Sequence, residues 1–250
     1  MRIAAAQTPS LPNDVAANVE THLHFVASAA AMGVQVLVFP ELSLTGYELE
    51  GVSDTALKLD APVLHPLRAA AMRHGMALVV GAPIQQAETR YKPGIGAIVF
   101  ESDGSHAVYL KRHLHPGEGN FVNAGREDAH VRAWCGERMA LAICADIAEP
   151  AHAEAAACAG ASLYLAGVLI SEAGYPLDAA LARQHAADHS MGVLLANHAA
   201  PSGGVASAGR SAFWAPDGTL VGQVPGTGAW LLLAERRSAG WITRAEAVCR

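Results

Sequence analysis

Short apolar runs, nearly free of polar side chains, recur along this chain and do the most to constrain its fold. We predict buried strands from them at 34–39, 77–81, 138–143, 162–166 and 192–196. Runs of this length without an alternating polar face are typical of strands that are covered on both faces of a sheet. Helical patterns separate them, at 14–31 with Asn13 as the cap, and at 62–74, 149–159 and 176–189. The alternation predicts an α/β protein with parallel strand pairs.

Further predicted strands pair as hairpins or flank the parallel units. They lie at 2–7, 96–101, 106–111, 129–134, 211–215, 220–224 and 229–234. The turn at 102–105 joins two of them, and Pro216-Asp217-Gly218 joins two others. We find no linker, repeat or low-complexity segment, so we expect one domain over residues 1–250 with mixed sheets covered by helices.

Composition excludes several classes of protein. The 250 residues include 17 Lys and Arg against 23 Asp and Glu, a net charge of −6, which argues against a nucleic-acid partner. The 52% hydrophobic content argues against disorder. The start lacks the long apolar run of a signal peptide, and the uncharged stretch 155–171 is too short for a membrane helix. We therefore expect a cytoplasmic protein with no membrane partner.

The four cysteines, Cys135, Cys144, Cys158 and Cys249, form no CxxC pair and no zinc-finger spacing. In a chain without an export signal, such cysteines are predicted to be reduced thiols. Most cysteines of this kind are inert, so further observations are needed to single one out.

Three reactive side chains each follow a predicted buried strand. They are Glu41, Lys111 and Cys144. Charged residues often surface at strand ends, so each alone would be unremarkable. Together they have compatible chemistry, since a carboxylate can take the proton of a thiol and a lysine can stabilise an oxyanion.

Four motifs in a fixed order resemble those of the carbon–nitrogen hydrolase (nitrilase) superfamily. The similarity covers nearly the whole chain. The motifs are Phe39-Pro40-Glu41-Leu42-Ser43-Leu44-Thr45-Gly46-Tyr47, then Tyr109-Leu110-Lys111-Arg112-His113-Leu114-His115-Pro116-Gly117-Glu118, then Cys144-Ala145-Asp146, and finally Ala196-Asn197-His198 with Gly203-Gly204, Ser211 and the turn at Pro216.

The resemblance implies a four-layer α-β-β-α sandwich that pairs as a homodimer or a higher homo-oligomer. It also implies roles: Cys144 as the nucleophile, Glu41 as the general base and acid, and Lys111 as the stabiliser of the oxyanion together with the backbone N–H of Ala145. Lys111 is expected to stay protonated between carboxylates. A helix starting after Cys144 is expected to favour the thiolate through its dipole.

Two further residues receive supporting roles from the resemblance. Glu118 matches a second glutamate beside the lysine, although a solvated loop charge is the alternative interpretation. Tyr47 is expected to line the substrate pocket, with packing against its own strand as the alternative. No metal and no cofactor is implied.

The implied reaction is hydrolysis of a non-peptide C–N bond in a small amide or N-carbamoyl amine. It proceeds through a Cys144 thioester and releases ammonia or an amine. Acyl transfer from the same thioester and nitrile hydrolysis are the alternatives. Ala145 departs from the family pattern, which commonly has an aromatic residue there, and this predicts a roomier or differently lined acyl site.

Two remote alternatives complete the interpretation. His185 and His189 stand four residues apart on a predicted helix and could bind zinc in a metal-dependent hydrolase. The sequence shows no third ligand at a spacing typical of zinc sites, so histidines on the helix surface are the preferred interpretation. A catalytically silent scaffold is the other alternative, and the retention of Glu41, Lys111 and Cys144 argues against it.

Overall fold

The computed structural model describes residues 1–86, 92–126 and 130–248. Two β-sheets lie face to face, since β-strands from the middle of one contact strands from the middle of the other. Helices cover the outer face of each sheet. This is the four-layer α-β-β-α sandwich that the resemblance implies.

The first sheet has seven strands. They are β1 (Arg2–Gln7), β2 (Val36–Val38), β3 (Ala77–Ile84), β4 (Gly94–Phe100), β5 (His106–Leu110), β12 (Trp230–Arg237) and β13 (Gly240–Ala247). Their order is β13-β12-β1-β2-β3-β4-β5, with β1, β2 and β3 parallel and the other pairs antiparallel. The predicted hairpin is the β4–β5 pair.

The second sheet has six strands, among which the three parallel ones are central. They are β6 (His130–Trp134), β7 (Glu137–Ile143), β8 (Leu163–Gly167), β9 (Gly192–Ala196), β10 (Ala212–Trp214) and β11 (Leu220–Gln223). Their order is β11-β10-β9-β8-β7-β6, with β7, β8 and β9 parallel. The turn between β10 and β11 is closed by the Gly218 N–H, which donates to the Ala215 carbonyl.

Two helices cover each sheet. They are α1 (Val15–Ala31), α2 (His65–His74), α3 (Pro150–Cys158) and α4 (Tyr175–His189). Helices α1 and α2 pack together over the first sheet, and α3 and α4 over the second. None of the helices within the described residues is long and apolar enough to cross a bilayer.

The core lies in separate apolar layers because successive strand residues point to opposite faces. In β1, Ala4 and Ala6 pack in the layer under α1 and α2, whereas Ile3 and Ala5 pack between the sheets. Three of these four residues are alanines, which let both neighbouring layers approach the strand closely.

The structure differs from the sequence predictions at the start of α1, in β2 and in β13, and two residues named above lie outside the described ranges. The cap of α1 is Asp14, whose carboxylate accepts the Ala17 N–H at 3.0 Å, while Asn13 adopts a left-handed φ of 58° in the preceding turn. Strand β2 is shorter than predicted. Strand β13 was not predicted, because its side chains are mostly exposed and partly charged. Cys249 and the predicted first residue of β6, Ala129, lie outside the described residues.

Candidate active site

Both sheets contribute to one buried site at the carboxyl ends of their strands. Glu41 follows β2 and Lys111 follows β5 in the first sheet, and Cys144 follows β7 in the second. Only 1% of Glu41, none of Lys111 and 8% of Cys144 is exposed. Carboxyl ends of strands are where α/β proteins place reactive groups, because the connecting loops meet there.

Lys111 holds two carboxylates with its ammonium group. Its Nζ donates to Glu41 Oε1 at 2.6 Å and to Glu118 Oε1 at 2.7 Å. Burial alone would lower the pKa of Lys111, but the nearby Glu41, Cys144 and Glu118 outweigh burial and raise it above its ordinary value. The ammonium therefore stays protonated and is held in a fixed position.

The two carboxyl oxygens of Glu41 have different surroundings. Oε1 accepts from Lys111, whereas Oε2 is buried and has no hydrogen-bond partner among the described residues. Burial raises the pKa of Glu41, and the charge of Lys111 opposes that rise. A buried carboxyl with one oxygen fixed and the other unpaired is suited to taking and returning a proton.

The backbone of the loop that carries Glu41 packs directly against two glycines, one in each sheet. A Cβ atom on Gly81 would lie 2.1 Å from the Pro40 carbonyl oxygen, and one on Gly167 would lie 2.6 Å from that of Phe39. Real Cβ atoms do not approach so closely. Both sheets therefore require a residue without a side chain here so that the Glu41 backbone can lie against them.

Two buried histidines also support this loop. His198 Nε2 donates to the Glu41 carbonyl oxygen at 2.7 Å. His22 Nδ1 donates to the Asn18 carbonyl, which leaves Nε2 to accept from Ser43 Oγ at 2.9 Å. Burial lowers the pKa of His22 to about 3 and that of His198 to about 4, so both rings are neutral at pH 7.

Cys144 begins a 3-10 turn, Cys144–Ala148, and has a left-handed φ of 45°. A positive φ is costly for a residue with a side chain, and such strain concentrates at functional sites. The first α-helix after the cysteine is α3, which begins only at Pro150. The helix predicted at 149–159 is therefore present as α3, but the expected helix dipole at the thiol is wrong, because the short 3-10 turn separates Cys144 from the start of that helix.

The thiol itself is neutral in the resting protein. Burial raises the pKa of Cys144 well above its ordinary value, the Glu41 charge adds to that rise, and Lys111 opposes it. Sγ lies 3.7 Å from the Leu169 carbonyl oxygen and 3.2 Å from His115 Nε2. A neutral thiol needs a base at the moment of attack, which is the task that the free oxygen of Glu41 is placed to perform.

Asp146 joins the cysteine turn to the lysine loop. Its carboxylate accepts the N–H groups of Ile143 and His113, each at 2.9 Å, and the Tyr109 hydroxyl at 2.7 Å. Ala145 lies between Cys144 and Asp146 at the start of the turn, where N–H groups have no acceptor within a helix. The chain on both sides of the thiol is thus held by one buried carboxylate.

Glu118 and Tyr47 both lie at the lysine. Glu118 is 1% exposed, and its Oε1 accepts from the Tyr47 hydroxyl at 2.5 Å in addition to Lys111. The alternative of a solvated loop charge is wrong for Glu118. Burial raises the pKa of Tyr47, so its hydroxyl stays protonated and serves as a donor.

Sequence reasoning missed the contacts of two site histidines. The sequence places His115 in the motif that ends at Glu118, and the structure shows that its ring contacts the sulfur of Cys144. The sequence places His198 in the fourth motif, and the structure shows that it donates to the Glu41 backbone. The signal in each case was a histidine inside a family motif, and only the fold shows which group each one contacts.

The remaining candidates lie elsewhere. His185 is buried rather than on the helix surface. Its Nε2 donates to the Ile147 carbonyl at 2.8 Å. Within the described ranges, no cluster of three or more His, Cys, Asp or Glu residues could hold a metal ion. Cys135 and Cys158 are exposed free thiols away from the site.

A buried thiol next to a carboxyl–ammonium pair, in a four-layer sandwich, defines the class of cysteine-dependent hydrolases that act on C–N bonds. Comparison with known proteins agrees. The family model for carbon-nitrogen hydrolase matches residues 2–243. The chain belongs to the carbon–nitrogen hydrolase family and is an enzyme of that type.

Individual relatives are similar over most of their length. A Pseudomonas protegens protein described as "hydrolase in pqqF 5′ region" is 30% identical over 226 residues, covering 88% of this chain and 78% of the relative. The solved NitN amidase of Nesterenkonia sp. AN1 has 28% identity and a TM-score of 0.86, covering 96% of this chain and 94% of the amidase. Structures of two mutants of that amidase show acrylamide added at its active-site cysteine and a complex with butyramide, respectively.

Proposed function

We propose that this enzyme hydrolyses the C–N bond of a small amide or N-carbamoyl amine, with Cys144 as the nucleophile. One observation carries the proposal. Glu41 has one oxygen fixed by Lys111 and one buried oxygen without a partner, in the same buried cluster as the Cys144 thiol. This arrangement supplies a base for a thiol that is not ionised at rest.

In the first half-reaction, Glu41 takes the proton of the Cys144 thiol while the sulfur attacks the carbonyl carbon. The new S–C bond places a negative charge on the carbonyl oxygen. Glu41 then gives its proton to the nitrogen, the C–N bond breaks, and ammonia or an amine leaves. The acyl group remains as a thioester on Cys144.

The negative oxygen of the intermediate needs donors that are already in place. Lys111 stays protonated between Glu41 and Glu118 and supplies one, and the Ala145 N–H supplies the other. Donors fixed before the reaction stabilise the developing charge without reorganisation, and each is worth about 10²–10³-fold in rate.

In the second half-reaction, Glu41 removes a proton from water as the water oxygen attacks the thioester carbon. The C–S bond breaks, the carboxylic acid leaves, and the proton held by Glu41 returns to the sulfur. Each turnover thus consumes one water and restores the thiol, with Glu41 moving one proton in each half-reaction.

The substrate class rests on the site and on the relatives. The amidase of Nesterenkonia sp. AN1 has been solved with butyramide, a small aliphatic amide, and this supports small amides here. Ala145 is small where the family commonly has an aromatic ring, so we expect a wider acyl site. An Ala145→Trp variant should shift the preference toward shorter acyl groups, and an unchanged preference would contradict this part of the proposal.

The test is ammonia release from a panel of small amides, ω-amides, carbamoyl compounds and nitriles. We expect release from one of the amide or carbamoyl classes by the wild type and none by a Cys144→Ala variant. Cys158→Ala removes an exposed cysteine instead and is the matched control, which should retain activity. Equal release by Cys144→Ala would overturn the nucleophile, and release from nitriles alone would overturn the substrate class.

A further inference from the structure

The ring of His115 lies directly against the sulfur of the candidate nucleophile. Its Nε2 is 3.2 Å from Cys144 Sγ, within hydrogen-bond range for sulfur. The backbone of His115 is fixed, because its N–H donates to Glu118 Oε2 at 2.7 Å. The carboxylate that accepts from Lys111 therefore also sets the position of this ring.

His115 differs from Glu41 in its access to water. Residue 115 is exposed, whereas Glu41 is buried. The ring thus reaches from solvent to the sulfur, while Glu41 can exchange a proton only inside the site. Of the two groups at the thiol, Glu41 is therefore shielded from water and His115 is accessible to it.

The charged and titratable groups around His115 come from two elements. Lys111 and Glu118 belong to its own loop, and Cys144 and Asp146 belong to the turn after β7. Burial and the Lys111 charge lower the pKa of His115, while Glu118 and Asp146 oppose that shift. The ring is therefore neutral at pH 7 and can accept a proton.

We propose that His115 is a second catalytic base at Cys144, which exchanges the thiol proton with solvent independently of Glu41. The S–H bond breaks, its electron pair stays on the sulfur, and the proton passes to Nε2 to give an imidazolium. The imidazolium returns the proton to the sulfur or releases it to water. This rests on the proposed role of Cys144 and adds a route that the Glu41 cycle does not contain.

The experiment follows alkylation of Cys144 by iodoacetamide, measured on the Cys144 peptide by mass spectrometry. It uses the Glu41→Gln enzyme, in which His115 is the remaining base at the sulfur. Replacing His115 by Phe in that background should slow alkylation at pH 7 by about tenfold or more, a modest share of what a positioned base contributes. His115→Gln should slow it similarly, because glutamine keeps a polar contact but is not a base.

The pH profile separates a base from a merely structural residue. With His115 as the base, alkylation of Glu41→Gln should change little above pH 6.5 and should fall at lower pH, where protonated His115 no longer accepts the thiol proton. In the double variants the rate should instead rise with pH throughout, because it then follows the fraction of free thiolate. Exposed Cys158 on the same molecules is an internal control whose alkylation at any one pH should not differ between the variants. The alkylation rate does not require amide turnover, so the result stands apart from the outcome of the substrate panel. Equal rates and equal pH profiles with and without His115 would overturn the proposal.

Discussion

Lys111 Nζ lies 2.6 Å from Glu41 Oε1, and both side chains are shielded completely from solvent. The ion pair fixes one oxygen of the carboxyl group and leaves the other unpaired. A buried pair of this kind is a weak source of stability, because desolvation offsets most of the attraction. Its role here is geometric, since it fixes the proton acceptor and the cation relative to each other within the buried site.

Replacing Glu41 by Gln tests the base directly. Glutamine keeps the size of the side chain and an oxygen for Lys111 but cannot take a proton. We expect kcat for the best amide substrate to fall by about 10²–10⁴-fold at pH 7.5, while the fold is retained. Glu20→Gln on the exposed face of α1 is the control. A Glu41→Gln enzyme within threefold of the wild type would contradict the assigned role.

Replacing Lys111 by Met tests the cation. The substitution leaves Glu41 and Glu118 buried without an ammonium, and the loss in unfolding free energy should be about 3–5 kcal/mol at pH 8. The loss should shrink at pH 5, where a buried carboxyl can take up a proton. Adding Glu118→Gln should restore part of the stability but not the activity. Urea midpoints at both pH values measure this, and a midpoint equal to that of the wild type would count against the buried pair.

The close packing of Gly81 and Gly167 against the Glu41 loop predicts that an added side chain there will displace Glu41. An added Cβ on Gly81 or Gly167 must displace the loop backbone, because each would fall within 3 Å of it. We expect Gly81→Ala and Gly167→Ala each to reduce kcat by at least about tenfold, since small displacements of a catalytic group are costly. Gly119→Ala is the matched control, because a Cβ there meets nothing within 4 Å. Full activity in both core variants would show that the loop is not held as described.

Acid stability should depend on the two buried neutral histidines that support the Glu41 loop, His22 and His198. Their folded pKa values, about 3 for His22 and about 4 for His198, lie below the ordinary value of 6.5. Below pH 6.5 the unfolded chain takes up protons that the folded protein does not, so the contribution of these rings to stability is present above 6.5 and is lost as the pH falls toward 4 and then 3.

Urea unfolding between pH 7 and pH 4 checks this. Each histidine should contribute a slope of about 1.4 kcal/mol per pH unit, and His198→Gln should remove one such contribution. His24→Gln, which replaces an exposed histidine on α1, should leave the slope unchanged. An unchanged slope in His198→Gln would contradict the assigned titration.

Most of the fold could be predicted because the strands are buried and apolar. β7, β8 and β9 are almost free of polar residues, and their pattern is visible in a short window of sequence. Strand β13 could not be predicted, because an exposed edge strand with charged residues has no such pattern. Its place in the sheet depends on pairing with β12. The helix predicted at 149–159 is present as α3, but it does not begin at the thiol, because Cys144 adopts a positive φ and starts a 3-10 turn that Asp146 closes.

The sequence predicts which residues form the site, but it predicts fewer of the contacts between them. Glu41, Lys111 and Cys144 follow strands that the sequence marks clearly, and the family motifs add Glu118 and Tyr47. The contacts of His115 with the sulfur and of His198 with the Glu41 backbone join residues from different loops. Such contacts depend on how the two sheets face each other, which no local pattern records.

Trapping the acyl-enzyme shows whether Cys144 carries the acyl group during turnover. The enzyme is mixed with the amide that gives the fastest ammonia release, quenched in acid within one turnover, and digested for mass spectrometry. We predict the acyl mass on the Cys144 peptide, and its loss with added hydroxylamine together with formation of the matching hydroxamate. Cys144→Ser should show no hydroxylamine-labile thioester, because serine has no sulfur to carry the acyl group. Turnover of the amide with no acyl group on Cys144 at any quench time, or undiminished turnover by Cys144→Ala, would contradict the role of Cys144 as the nucleophile.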